Sequence, residues 1–108
     1  MTVDVAARLV TVGGGCRLGD MDRACQPYGL ACVTGTNPDT GVVGLSTHGG
    51  AGYLSRMHGL AVDNFVSAEL VTAAGEVRST HSHRSPLSFS PSPIAPLTSF
   101  EESSAINK

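Results

Sequence analysis

Gly41-Val42-Val43-Gly44-Leu45-Ser46-Thr47-His48-Gly49-Gly50-Ala51-Gly52-Tyr53 places five glycines in thirteen residues, interleaved with small and apolar side chains. Each glycine costs roughly 0.5–1 kcal/mol relative to alanine inside a regular element. A segment that accepts this cost repeatedly needs positive φ angles, or a main chain that lies directly against a ligand. The pattern predicts a turn into a short helix over residues 43–47, then a second close backbone turn.

On the N-terminal side, residues 7–12 are rich in β-branched side chains and predict a strand ended by Gly13-Gly14-Gly15. Leu18, Met21 and Cys25 follow at i, i+3 and i+7, the spacing of one helix face. Asp20 and Asp22 suit the positive end of that helix, and Pro27 and Gly29 mark its stop. Leu30-Ala31-Cys32-Val33 reads as a short buried strand and Thr34-Gly35-Thr36-Asn37-Pro38-Asp39-Thr40 as a turn. On the C-terminal side, residues 53–58 fit a single helical turn. Residues 65–72 read as a strand that reverses through Ala73-Ala74-Gly75-Glu76 into a partner beginning at Val77, a β-hairpin. From His81 on, Ser and Pro dominate, which predicts a low-complexity tail over residues 81–108 without regular structure.

A chain of 108 residues is one small domain or a piece of a larger one. A net charge of −2 with no basic stripe argues against a nucleic-acid partner. No stretch approaches the roughly 20 apolar residues of a membrane helix, and the first ten residues do not read as an export signal. Three cysteines, Cys16, Cys25 and Cys32, do not make a complete disulfide framework, and no Cys-x-x-Cys pair occurs. They read as small, partly buried core residues.

Four segments then fall in a specific order: Thr40-Gly41-Val42-Val43-Gly44-Leu45, Gly49-Gly50-Ala51-Gly52-Tyr53-Leu54-Ser55-Arg56, Gly59-Leu60-Ala61-Val62-Asp63-Asn64, and Ser67-Ala68-Glu69-Leu70-Val71-Thr72-Ala73-Ala74-Gly75-Glu76-Val77. Together with Val12-Gly13-Gly14-Gly15-Cys16 and Gly29-Leu30-Ala31, this order resembles the flavin domain of the vanillyl-alcohol oxidase/p-cresol methylhydroxylase (PCMH-type) superfamily. The pattern is most similar to the berberine-bridge-enzyme-like FAD-linked oxidoreductases. It covers residues 3–78. The resemblance implies an α+β fold, a short mixed sheet with flanking helices, corresponding to the second subdomain of a PCMH-type FAD-binding domain. Residues 1–80 would be that partial domain. The family's Arg-Ser-Gly-Gly-His-Ser type loop, which cradles the pyrophosphate, would have to precede Met1, so the chain is expected to be a fragment.

The resemblance also implies FAD as the cofactor. Flavin contact is expected at Gly41, Val42, Gly44, Gly49, Gly50 and Gly52, where a missing Cβ and aligned backbone N–H donors suit a diphosphate and ribityl chain. A glycine-rich turn required only for packing is the alternative. Val71 matches a position whose main chain meets the adenine end in the family, and it also reads as an ordinary buried strand valine. His48 stands where a glycine is more usual. Arg56 is either a diphosphate partner or a surface arginine, and His58 either caps its turn or faces solvent. Asp63 and Asn64 suit local side-chain to backbone hydrogen bonds. The segment Asn37-Pro38-Asp39 lacks the cysteine that some relatives bond to the flavin, so no covalent flavin link is expected. His81-Ser82-His83 offers two metal ligands and no evident third.

No nucleophile–base–acid triad is visible, in keeping with flavin chemistry. The expected activity is oxidation of an alcohol, sugar or amine carbon of a small-molecule substrate by hydride transfer to FAD. The alternative is an inactive remnant that keeps the fold element and neither holds FAD stably nor catalyses. A Rossmann site fails on glycine spacing, and a Walker A loop fails because no Gly-Lys-Ser/Thr is present.

Overall fold

The computed structural model describes residues 1–81 and the strand segments Ile94–Ala95 and Leu97–Glu101. β1 (Thr2–Asp4) and β2 (Leu9–Gly13) form an antiparallel pair with Val3 opposite Val10. The turn between them is held by the Asp4 carboxylate, which accepts the Ala7 N–H at 2.9 Å. β1 is only three residues long, too short for its own period-2 signal, and the sequence reading did not include it. β2 alternates half-buried and buried positions, so Val10 and Val12 enter the core.

Helix α1 (Leu18–Cys25) buries Leu18, Met21 and Cys25, the face that their spacing predicts. The Asp20 carboxylate reaches back to the Arg17 N–H at 3.2 Å. Two of the helix's first donors are taken by the loop that precedes the glycine run. Leu18 N–H donates to the Thr40 carbonyl and Gly19 N–H to the Pro38 carbonyl, both at 2.9 Å. A short 3-10 turn (Gln26–Tyr28) follows, and Gly29 leaves it with φ +64°. β3 (Ala31–Cys32) then carries the chain toward the 37–40 loop.

Helices α2 (Val42–Thr47) and α3 (Ser55–His58) and a 3-10 turn (Ala61–Asn64) follow, where the sequence predicted a helix over 43–47 and a helical turn over 53–58. β4 (Ser67–Val71) and β5 (Val77–His81) make the expected hairpin, with Gly75 at φ +79° in its turn. β6 (Ile94–Ala95) and β7 (Leu97–Glu101) fall within the region read as a tail. That expectation needs amendment for these seven residues, whose apolar and β-branched content suits strands. The tail is otherwise outside the described residues, as is the side-chain reading of His81 and His83.

The sheet runs β1-β2-β7-β4-β5. β7 lies parallel to both β2 and β4, while the β1–β2 and β4–β5 pairs are antiparallel. β3 pairs separately with β6 in parallel. This mixed sheet with flanking helices is the α+β architecture expected. The core is Val10, Val12, Leu18, Met21, Cys25, Cys32 and Val42, so the α2 start is anchored in the same cluster as β2 and α1. Among the described residues, no helix is long and apolar enough to cross a membrane.

Candidate functional site

The glycine run begins where two loops meet. Gly41 bridges to Arg17 in antiparallel fashion, and the Val42 N–H donates to the Cys16 carbonyl at 3.0 Å. The Asn37 side-chain oxygen accepts the Asp39 N–H at 3.0 Å, a local turn that sets the approach to Thr40. Arg17 thus stands beside the start of α2, its exposed guanidinium 3.5 Å from the Asp39 carboxylate. Nothing in the linear pattern marks Arg17, because only the pairing with Gly41 brings it there.

Main-chain donors differ sharply along the run. The amides of Gly41, Val43 and Gly44 have no partner among the described residues, and no side chain caps α2. A methyl built on Gly41 or Gly44 would meet nothing within 4 Å, so main chain and open space coincide there. Val42 is different: its side chain is fully buried and its amide is already engaged. The sequence reading overlooked the Val43 donor, since its side chain gives no hint of a free amide.

Gly49 and Gly50 leave α2 with φ of +104° and +74°. Their carbonyls accept Val62 N–H and Ala61 N–H, both at 2.9 Å, which anchors the 3-10 turn, while their own amides have no partner among the described residues. A methyl on Gly50 would lie 2.5 Å from Leu45 Cδ2 and 2.7 Å from Ala61 Cβ. Gly52 is enclosed more tightly still. Its amide donates to Ser55 Oγ at 2.8 Å, its carbonyl accepts the Ser55 N–H at 3.1 Å, and a Cβ would overlap the Thr34 carbonyl. Gly50 and Gly52 therefore have a packing reason of their own.

His48 ends α2 with its ring Nδ1 2.9 Å from the Gly44 carbonyl. A carbonyl only accepts, so Nδ1 carries the proton in that contact. Thr47 Oγ1 bonds the Val43 carbonyl at 2.9 Å. Asp63 accepts the Leu60 N–H at 3.0 Å, and Asn64 donates to the carbonyls of His58 and Leu60, the local role read from sequence. Arg56 is exposed. His58 does not face solvent with its ring tip: Nε2 is buried without a partner among the described residues, as are Thr34 Oγ1 and Ser46 Oγ.

Val71 lies at the end of β4 opposite Val77 and is 46% exposed, so core burial does not account for it. Tyr53 and Met57 are also strongly exposed, on the segment that includes α3. Among the described residues, no group of three or more His, Cys, Asp or Glu side chains could hold a metal.

A set of unpartnered amides, bare of Cβ at Gly41 and Gly44 and beside the backbone of Arg17, fits an anionic diphosphate and its sugar arm. A family model described as an FAD binding domain matches residues 1–81. The chain is 44% identical over 75 residues to (R)-6-hydroxynicotine oxidase of Paenarthrobacter nicotinovorans, covering 69% of this chain and 16% of that protein. It is 41% identical over 78 residues to a xylooligosaccharide oxidase of Thermothelomyces thermophilus, covering 71% of this chain and 16% of that protein. The crystal structure of a 6-hydroxy-D-nicotine oxidase from Arthrobacter nicotinovorans superposes with a TM-score of 0.70 at 38% identity, covering 79% of this chain and 19% of that one. The chain therefore spans about a sixth of the length of the curated relatives it matches.

Proposed function

The chain belongs to the FAD binding domain family, a PCMH-type flavin domain fragment with FAD as its cofactor, and from that premise we propose that it contributes one wall of the flavin cradle in a flavin-dependent oxidoreductase. The observation that carries the reading is the coincidence of unpartnered amides and missing Cβ atoms at Gly41 and Gly44. In this proposal the amides of Gly41, Val43, Gly44, Gly49 and Gly50 receive the diphosphate and ribityl oxygens. Val42 and Gly52 hold the loop in shape, and Val71 packs near the adenine end. The Arg17 guanidinium balances the diphosphate charge. In this reading residues 1–80 make up most of the partial domain, and β7 (Leu97–Glu101) completes its sheet between β2 and β4.

When bound, FAD would supply the hydride-accepting chemistry at the substrate carbon. This chain's residues would bind and orient it. The substrate proposed is a small molecule oxidised at an alcohol, sugar or amine carbon. Relatives named for a hydroxynicotine and for a xylooligosaccharide support that breadth.

Titration of the purified chain with FAD, followed by flavin fluorescence and by amide hydrogen exchange, tests the reading. The expected result is quenching together with slowed exchange in residues 41–50. Absence of both would leave the glycine turn as a fold element alone and favour the inactive remnant. Anaerobic loss of the flavin's visible absorbance with a panel of alcohols, sugars and amines tests the substrate class.

A further inference from the structure

Outside the glycine turn, two thiols sit together in the core. Cys25 Sγ, at the last residue of α1, lies 3.7 Å from Cys32 Sγ on β3. Both side chains are buried and neither is in a disulfide, whereas Cys16 is half-buried and has no thiol neighbour among the described residues. We infer that Cys25 and Cys32 form a redox modification site, a dithiol that a hydroperoxide converts to an intramolecular disulfide. The inference is independent of flavin binding.

Proximity is the first support. A disulfide needs the sulfurs at about 2.05 Å, so closure asks for less than two ångströms of relative movement, within reach of side-chain rotation and a small shift of the intervening turn. That turn is the second. Gln26, Pro27, Tyr28, Gly29 and Ala31 are all exposed, so the segment that joins the two thiols lies at the surface. The turn is held by two backbone bonds, Gly29 N–H to the Gln26 carbonyl at 3.0 Å and Leu30 N–H to the Cys25 carbonyl at 3.3 Å. Its opening frees the segment between the two cysteines, which includes no residue of β2.

The order of events follows from the chemistry of the pair. Burial pushes both thiols up, so neither reacts readily while the turn is closed. Either thiol can donate to the other across the 3.7 Å contact, which favours the thiolate of the one that accepts. In the proposed order Cys25, which adjoins the exposed residues Gln26 and Pro27, is the attacking sulfur. Its thiolate takes one oxygen of the hydroperoxide: the S–O bond forms, the O–O bond breaks, and the departing hydroxide or alkoxide takes a proton. The Cys32 sulfur then attacks the Cys25 sulfenic sulfur. The S–S bond forms, the S–O bond breaks and water leaves with the thiol proton. Two thiols and hydrogen peroxide give one disulfide and two waters, the two sulfurs losing two electrons and the peroxide gaining them.

The full chain, treated with hydrogen peroxide under native conditions, then quenched, denatured and alkylated, tests this. One alkylated cysteine, Cys16, is expected after treatment and three before it. The chain should lose two hydrogens in mass, reversibly with dithiothreitol, and peptide mapping should link Cys25 to Cys32. Three alkylated cysteines after treatment, a linkage that includes Cys16, or sulfinic acid in place of the bridge would each overturn the inference. Cys32→Ser should accumulate a dimedone-reactive sulfenic acid at Cys25, and Cys16→Ser should leave the mass loss intact. If either variant fails to fold, the mapping on the unmodified chain decides.

Discussion

Gly52 is seated against the carbonyl of Thr34, so closely that a methyl on its Cα would overlap that oxygen. Backbone meets backbone here, and no side-chain rotation relieves the overlap. Gly44, eight residues earlier, has open space in the same direction. These two positions look alike in the sequence and answer to different physics.

Gly52→Ala should therefore destabilise the chain by about 1–3 kcal/mol, the usual range for overpacking. A domain of this size loses roughly 4–8 °C in Tm per kcal/mol. Urea and thermal unfolding check this, and an unchanged midpoint would show that the loop carrying Thr34 yields freely.

Gly44→Ala should do the opposite to the fold. Within α2, alanine improves helix propensity by roughly 0.5–1 kcal/mol, and nothing obstructs the methyl. The same methyl stands on the surface proposed to meet the cofactor, so FAD affinity should fall about tenfold, equivalent to about 1.4 kcal/mol. Stability and affinity moving in opposite directions is the expected signature. A stabilised variant with unchanged affinity would place the flavin elsewhere.

Arg17→Gln separates charge from fold in a second way. Its exposed ion pair with Asp39 is worth about 0–1 kcal/mol at most, so unfolding should change little. A charge-assisted bond to a diphosphate contributes about 1.5–3 kcal/mol. FAD titrations at low and high salt should show weaker binding and a flatter salt dependence than the unaltered chain. Equal salt slopes would remove Arg17 from the cradle.

Asp20 and Asp22 should give α1 opposing pH dependences. The Arg17 backbone N–H, then the Arg23 guanidinium, hold the Asp20 carboxyl below its ordinary 3.8. Its contribution is present above pH 3.8 and is lost as pH falls through the depressed value. Burial holds Asp22 above 3.8, so its contribution is fully present below that value and is lost as pH rises through the raised one. Asp20→Asn should lower the urea midpoint at neutral pH and converge with the parent in strong acid. Asp22→Asn should raise it at neutral pH and converge below about pH 3. The same direction for both would contradict these assignments.

Local periodicity made much of the fold legible. The i, i+3, i+7 spacing of Leu18, Met21 and Cys25 identified the buried face of α1, and Gly75 between β-branched runs identified the β4–β5 hairpin. β1 was hidden because three residues carry no alternation, and β7 because its pairing with β2 and β4 joins segments far apart in the chain. At the site, glycine density located the turn. Which glycines face open space, and that Arg17 adjoins Gly41, depend on contacts between the 13–17, 34–41 and 49–52 segments that spacing alone does not encode.

The clasp of Thr40 and Pro38 onto Leu18 and Gly19 has a consequence for engineering. The glycine turn is not portable: grafted without α1, it would lose the splint that fixes its entry. α1 transplanted alone would present two bare donors to solvent or to a new neighbour. A chimera that exchanges cofactor preference here must carry residues 16–52 as one cassette.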